Sequence, residues 1–249
     1  MTGTTEPPQE PQVEIHKPKP VRNWREFVKE YAIIVLGVAT ALAAEQAVEW
    51  LHWQSEVKDA RNAIVAEIAD NNTRIFARRV AFEPCIQRQL QEADRILTDL
   101  EAGRSPGSFT TFHTGSGSFL SDSEWQSERA SQVLTHFPRA ELALLGRYYA
   151  QLQLIDPLKV QEGDAWQELS VLQNPPKGIG VSDLLRLRVA LGTVDRVERL
   201  IVLDALRQLN VSRMLNIAYQ PADPQLVEKF CSLGDLEYLD FIRSRESRQ

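Results

Sequence analysis

Hydrophobic positions along this chain recur in strides of three and four, the spacing that lays one apolar stripe along an α-helix, and no segment of useful length alternates as a strand would. Val57, Ala60, Ile64, Ile68, Ile75 and Phe82, followed by Ile86, Leu90, Ala93, Leu97 and Leu100, predict two helices or one kinked rod, with Pro84 at the junction and Gly103 as the stop. Residues 104–122 are rich in Gly, Ser and Thr and read as a long loop. Ser121 and Glu124 have capping-box spacing and predict a short helix through about Phe137. Pro138 suits the first position of the next helix, whose stripe is Leu142, Leu145, Tyr149, Leu152 and Ile155; Pro157 is expected to kink or split it before it resumes through Trp166, Leu169 and Leu172. After a turn over residues 174–180, Ser182 is expected to cap a long helix. Leu184, Leu187, Leu191, Val194, Ile201, Ala205 and Leu209 line one face of it, Val197, Leu200, Leu203 and Leu206 widen that face, and Pro221 and Pro224 stop it. The pattern predicts an all-α fold: an N-terminal transmembrane helix continuing into an antiparallel helical bundle of about four long helices.

One stretch is apolar all round. Tyr31 to Ala44 carries no charge over 14 residues, which is short for a bilayer core. Its flanks extend it, with Trp24, Phe27 and Tyr31 on one side and Trp50 and Trp53 on the other, as aromatic residues stand at the two membrane interfaces. Glu45 and Glu49 then fall near the far headgroups. A span from Phe27 to Trp50 would reach about 36 Å at 1.5 Å per residue. Two rival readings stay open: a signal peptide cleaved at Ala41-Leu42-Ala43, and a buried helix of a soluble protein.

Charge sets a direction. Lys17, Lys19, Arg22, Arg25 and Lys29 precede the span, and only Lys58 and Arg61 follow closely, which favours a cytoplasmic N-terminus. In a bacterium this places the anchor in the inner membrane as a single pass and the remaining domain in the periplasm. The expected organisation is a disordered cytoplasmic tail at 1–22, containing Pro7, Pro8, Pro11, Pro18 and Pro20, an anchor helix at 23–53, a helical domain at 54–220 and a C-terminal tail at 221–249. The formal net charge of −6 and the lack of a basic run interleaved with aromatics beyond the N-terminal segment argue against nucleic acid as a partner. In an oxidising compartment the two cysteines, Cys85 and Cys231, are expected to form a disulfide that ties the tail to the first long helix; in a reducing one they would be buried thiols.

Motifs of chemistry are few. Glu49-x-x-His52, flanked by Glu45 and Glu56, has the spacing of a carboxylate–histidine pair, but bundles that hold two metals use it twice, so it reads as a solvated face. His113 to Ser118 (HTGSGS) offers a histidine and serines without the strand-to-helix setting of a nucleophile elbow. Gly178-Ile179-Gly180 lacks the third glycine of a dinucleotide fingerprint. Trp125 and Trp166 are expected in the core; Tyr148 and Tyr149 are expected in the core or lining a pocket. No catalytic, cofactor-binding or metal-binding residue is assigned.

The block WREFVKEYAIIVLGVATALAAEQAVEWLHW, followed by EVKDARNAIVAEIADN, the EPC around Cys85 and the later DAWQELSVL, resembles an uncharacterised family of bacterial single-pass membrane proteins. Its members pair an N-terminal anchor ending in A-E-Q-A with a helical extracytoplasmic region. The resemblance is most specific from Trp24 to Asn71; it implies the architecture and the inner membrane, and brings no activity. The reading that follows is a membrane-anchored structural or protein-interaction module of the bacterial envelope, in contact with the lipid bilayer and with a protein partner or a second copy. The alternatives are a periplasmic ligand-sensing helical bundle and, third, an envelope hydrolase.

Overall fold

A computed structural model describes residues 23–107, 119–176 and 178–232. It is all-α, with no strand among the described residues. The elements are α1 (Trp24–Asn71), a π-helical turn (Asn72–Phe76), α2 (Ala77–Glu101), α3 (Ser123–Ala130), a 3₁₀ turn (Val133–His136), α4 (Arg139–Leu169), a second 3₁₀ turn (Ser170–Gln173), α5 (Val181–Met214) and α6 (Pro224–Ser232). The chain divides into two compact units, Met1–His52 and Trp53–Gln249, and α1 supplies residues to both.

In the first unit every described residue is exposed, and α1 is here long and apolar enough to cross a membrane. The rings of Trp24, Phe27 and Tyr31 stack in sequence, with centroids 5.7 and 6.3 Å apart, because positions three and four apart share a helix face. Isoleucines, valines and leucines such as Ile33 (69% exposed) and Leu36 (66%) have no neighbour among the described residues to cover them. By length and composition such a helix can span a bilayer.

The second unit is a bundle of long helices. The stripe read from sequence is its core: Val57, Ala60, Ile64 and Ile68 of α1, Ile75 in the π turn, and Phe82, Ile86, Leu90, Ala93 and Leu97 of α2 are all buried. Two clusters fill it, one around Ile64, Phe76, Tyr148 and Ile155, the other around Ile86, Leu97, Trp166 and Leu169. Contacts between α4 and the first rod advance together, from Arg61 with Glu141, through Glu67 with Tyr149, to Arg79 with Glu162, so α4 runs parallel to α1 and α2. The antiparallel member is α5: Arg188 near its start pairs with Asp94 and Glu101 at the end of α2, and Ser212 near its end meets Asn72. A parallel neighbour needs a long return connection, and the segment between α2 and α4 supplies it.

Several boundaries differ from the sequence reading. The irregularity in the first rod falls at Asn72–Phe76, not at Pro84, which lies inside α2. Phe82, Cys85 and Ile86 are buried on either side of Pro84, and that packing outweighs the roughly 3 kcal/mol an interior proline costs. Pro157 likewise stays within an unbroken α4, between buried Ile155 and buried Glu162. Gly103, at φ +67°, ends α2 as expected: the Gly103 N–H reaches the Leu100 carbonyl (3.0 Å) and the Arg104 N–H the Asp99 carbonyl (2.8 Å). The same motif ends α5 at Asn216 (φ +56°), with the Ile217 N–H donating to the Ser212 carbonyl (2.9 Å), well before Pro221 and Pro224. The N-cap of α5 is Gly180 rather than Ser182. Pro224 begins α6, one residue after Asp223, whose carboxylate accepts the Gln225 N–H at 2.9 Å. The expected tail therefore contains a helix, held through buried Leu226 and the Cys85–Cys231 disulfide, whose Cα atoms are 5.4 Å apart.

Candidate functional site

Of the residues expected at the membrane interfaces, Trp24, Tyr31, Glu45, Glu49 and Trp50 are exposed in the first unit, as is His52. Trp53 belongs to the second unit, where its indole stacks on the His136 ring with centroids 3.9 Å apart and packs at the edge of the core. Trp125, Trp166, Tyr148 and Tyr149 are all buried. The His113–Ser118 segment lies outside the described residues. Among the described residues no three His, Cys, Asp or Glu side chains are grouped to hold a metal ion.

What the structure adds is polar chemistry at positions inside the apolar stripes. Glu67 sits between Ile64 and Ile68 on α1, and its carboxylate organises the start of α3. Oε2 accepts the Ser121 hydroxyl (2.8 Å), the Ser123 hydroxyl (3.0 Å) and the Glu124 N–H (2.9 Å), while Oε1 accepts the Tyr149 hydroxyl (2.7 Å). Asn71 holds both polar groups of the Ser121 backbone. The helix start that Ser121 and Glu124 were expected to cap locally is thus capped from α1, and α3 closes at Ala130 rather than Phe137. Burial alone would raise the Glu67 pKa; the Glu124 N–H and the Tyr149, Ser121 and Ser123 hydroxyls overcome it and hold the group below the ordinary carboxylate range. Burial, then the Glu67 contact, pushes the Tyr149 phenol up, so it stays a neutral donor.

A second charged cluster lies in the middle of the bundle. Arg79 of α2 donates through Nη2 to Glu162 of α4 and to Glu198 of α5, all three at most 5% exposed. Among the described residues Arg79 Nε and Glu198 Oε1 have no hydrogen-bond partner, so the cluster is incompletely satisfied there. Each residue occupies a core register, Glu162 seven after Ile155 and Glu198 four after Val194. A charge on an apolar stripe is the signal that sequence reading passed over. Beside it, Asn72 donates to Ser212 Oγ (2.7 Å) and accepts the Tyr148 hydroxyl (3.2 Å), which gives the π turn its cross-bundle partners.

The outward face of α5 is the other departure. Leu200, Leu203 and Leu206, expected to widen the buried face, are exposed, and Ala190, Glu198, Asp204, Gln208 and Ser212 take the interior. At 3.6 residues per turn, Val181, Leu185, Val189, Leu200, Leu203, Leu206 and Met214 fall within roughly 120° of one another, as do Arg196, Arg199 and Arg207. Leu185 is 63% exposed, Val189 69% and Leu203 50%. No Asp or Glu shares the stripe, although Arg199 pairs with Asp195 and Arg207 with Asp204 at its margins. Arg196 makes no ion pair among the described residues. This face, apolar and basic together, runs along one of the longest helices and is larger than the scattered apolar residues of an ordinary surface. No protein-family model matches the chain, and neither a curated protein nor a solved structure shows significant similarity to it.

Proposed function

We propose that this protein is a membrane-anchored interaction module of the bacterial envelope, with no catalytic role, whose α5 face receives a helix of a partner protein carrying apolar and acidic residues. The observation that carries it is the exposed stripe of leucine and valine on α5, edged by Arg196, Arg199 and Arg207, which no described residue covers. Charge selects the occupant: a second copy laid on this face would set arginines against arginines, whereas an acidic amphipathic helix would complement them. The apolar first unit is read as a single pass through the inner membrane, N-terminus cytoplasmic, with the helical domain periplasmic. Five basic residues before the apolar segment against two after it support that orientation, and the Cys85–Cys231 disulfide supports an oxidising compartment. The likeness of the Trp24–Asn71 block to bacterial single-pass proteins supports the same placement.

The test is photocrosslinking in native membranes from Leu185 and Leu203, with exposed Ser127 on α3 as the control position. A discrete protein adduct from the α5 positions alone is the expected result. Adducts joining two copies would reassign the face to self-association, and an unadducted chain at all three positions would sink the reading. A ligand-sensing bundle is the second reading, favoured by an apolar cleft between α3 and α4.

A further inference from the structure

We propose that this cleft is a binding site for a single-chain anionic amphiphile, a fatty-acid carboxylate being the simplest member. The inference goes beyond the α5 interaction and stands without it. The cleft, shallow and largely open to solvent, has a volume of about 410 Å³, within the size class of small-molecule sites. Trp125 and Leu134, both buried, and half-buried Leu142 give it an apolar lining, and Gly146 of α4 leaves an opening where any other residue would place a side chain. The Trp125 indole is fixed from behind by stacking on Tyr149, centroids 4.7 Å apart and planes 6° from parallel, and Tyr149 is held in turn by Glu67. The aromatic wall is therefore rigid before any ligand arrives.

Three polar residues, Arg129, Gln132 and Thr135, share the lining. Arg129 lies one turn beyond Trp125 on α3 and makes no ion pair among the described residues; no carboxylate lines the cleft. Gln132 is held in the left-handed region at φ +65°, a conformation non-glycine residues seldom adopt, and it adds an amide to the lining. Thr135 is the third polar residue of the lining, its hydroxyl already donating to the Gln132 carbonyl at 2.8 Å. An apolar cleft whose lining includes a guanidinium without an ion pair among the described residues, an amide and no carboxylate matches an alkyl chain ending in a carboxylate, and disfavours a cationic or uncharged head.

The test uses the full chain in zwitterionic nanodiscs, labelled with 5-fluorotryptophan, the Trp125 ¹⁹F resonance being assigned by its loss in Trp125→Phe. Titration with decanoate is expected to move the Trp125 resonance saturably. Arg129→Gln weakens the apparent affinity at least tenfold, Gly146→Leu abolishes the response, and decyltrimethylammonium at the same concentration gives none. Gly146 has open space around its Cβ position, so an alanine is accommodated; Gly146→Ala, which fills less, weakens binding less and separates occlusion from misfolding. A shift confined to Trp24 and Trp50 would mean partition into the bilayer alone and would overturn the proposal. So would equal binding of the cationic amphiphile, or unchanged affinity in Arg129→Gln.

Discussion

Arg79→Met removes the cation that two buried carboxylates share. Glu162 is 3% exposed and Glu198 0%, so neither reaches water to recover the solvation it lost on folding. Leaving buried charge uncompensated costs about 3–5 kcal/mol, and at 2–4 °C per kcal/mol for a domain of this size the melting temperature should fall by roughly 6 to 20 °C. The unpartnered Arg79 Nε and Glu198 Oε1 carry the prediction further. A cluster with orphaned polar atoms recovers its desolvation cost incompletely, so replacing all three residues together, Arg79→Met with Glu162→Leu and Glu198→Leu, should restore stability to the native level or raise it by about 1–4 kcal/mol. Thermal unfolding followed by circular dichroism, on the native chain and both variants in the same lipid environment, measures this. A single variant that melts within about 2 °C of the native chain, or a triple variant as unstable as the single one, would refute the reasoning: the first would mean the carboxylates are solvated or neutral, the second that the site is valued for its shape rather than its charge.

Other outcomes follow from the same contacts. Because the Glu67 pKa is lowered on folding, its contribution is present above the unfolded value near 4.5 and is lost as pH falls through the lower folded value; Glu67→Gln should flatten that acid limb and reduce stability at neutral pH, read from unfolding midpoints across pH 3 to 7. Cys231→Ser, or reduction of the native chain, opens a loop spanning a sequence separation of 146 and should cost up to about 5 kcal/mol on the chain-entropy model, with both thiols alkylated only after reductant. Gly146→Ala should raise stability by about 1 kcal/mol through helix propensity, seen as a higher denaturant midpoint at unchanged slope. Reporters fused after Asn23 and after Gly103 should report opposite sides of the membrane; the same side for both would end the single-pass reading.

The amino-acid order alone determined what depends on near neighbours. The all-α class, the core positions of α1 and α2, the glycine stop at Gly103 and the apolar first unit follow from spacing, propensity and local backbone freedom, which act within a few residues. The pairing of Cys85 with Cys231 needed only their number and an oxidising setting. Tertiary structure decided the rest, because its causes lie far apart in sequence. The π turn at Asn72 answers to Ser212, and α3 is capped by Glu67 instead of its own Ser121. Pro84 and Pro157 fail to break their helices because side chains around them are buried by other elements, which no local rule weighs. Leu200, Leu203 and Leu206 look like core in sequence and face outward, while Glu162 and Glu198 look like surface and meet Arg79 inside. Hydropathy gives each side chain a preference, but α5 has more apolar positions than its two packed neighbours can cover, and only their placement selects which are buried and which stay exposed.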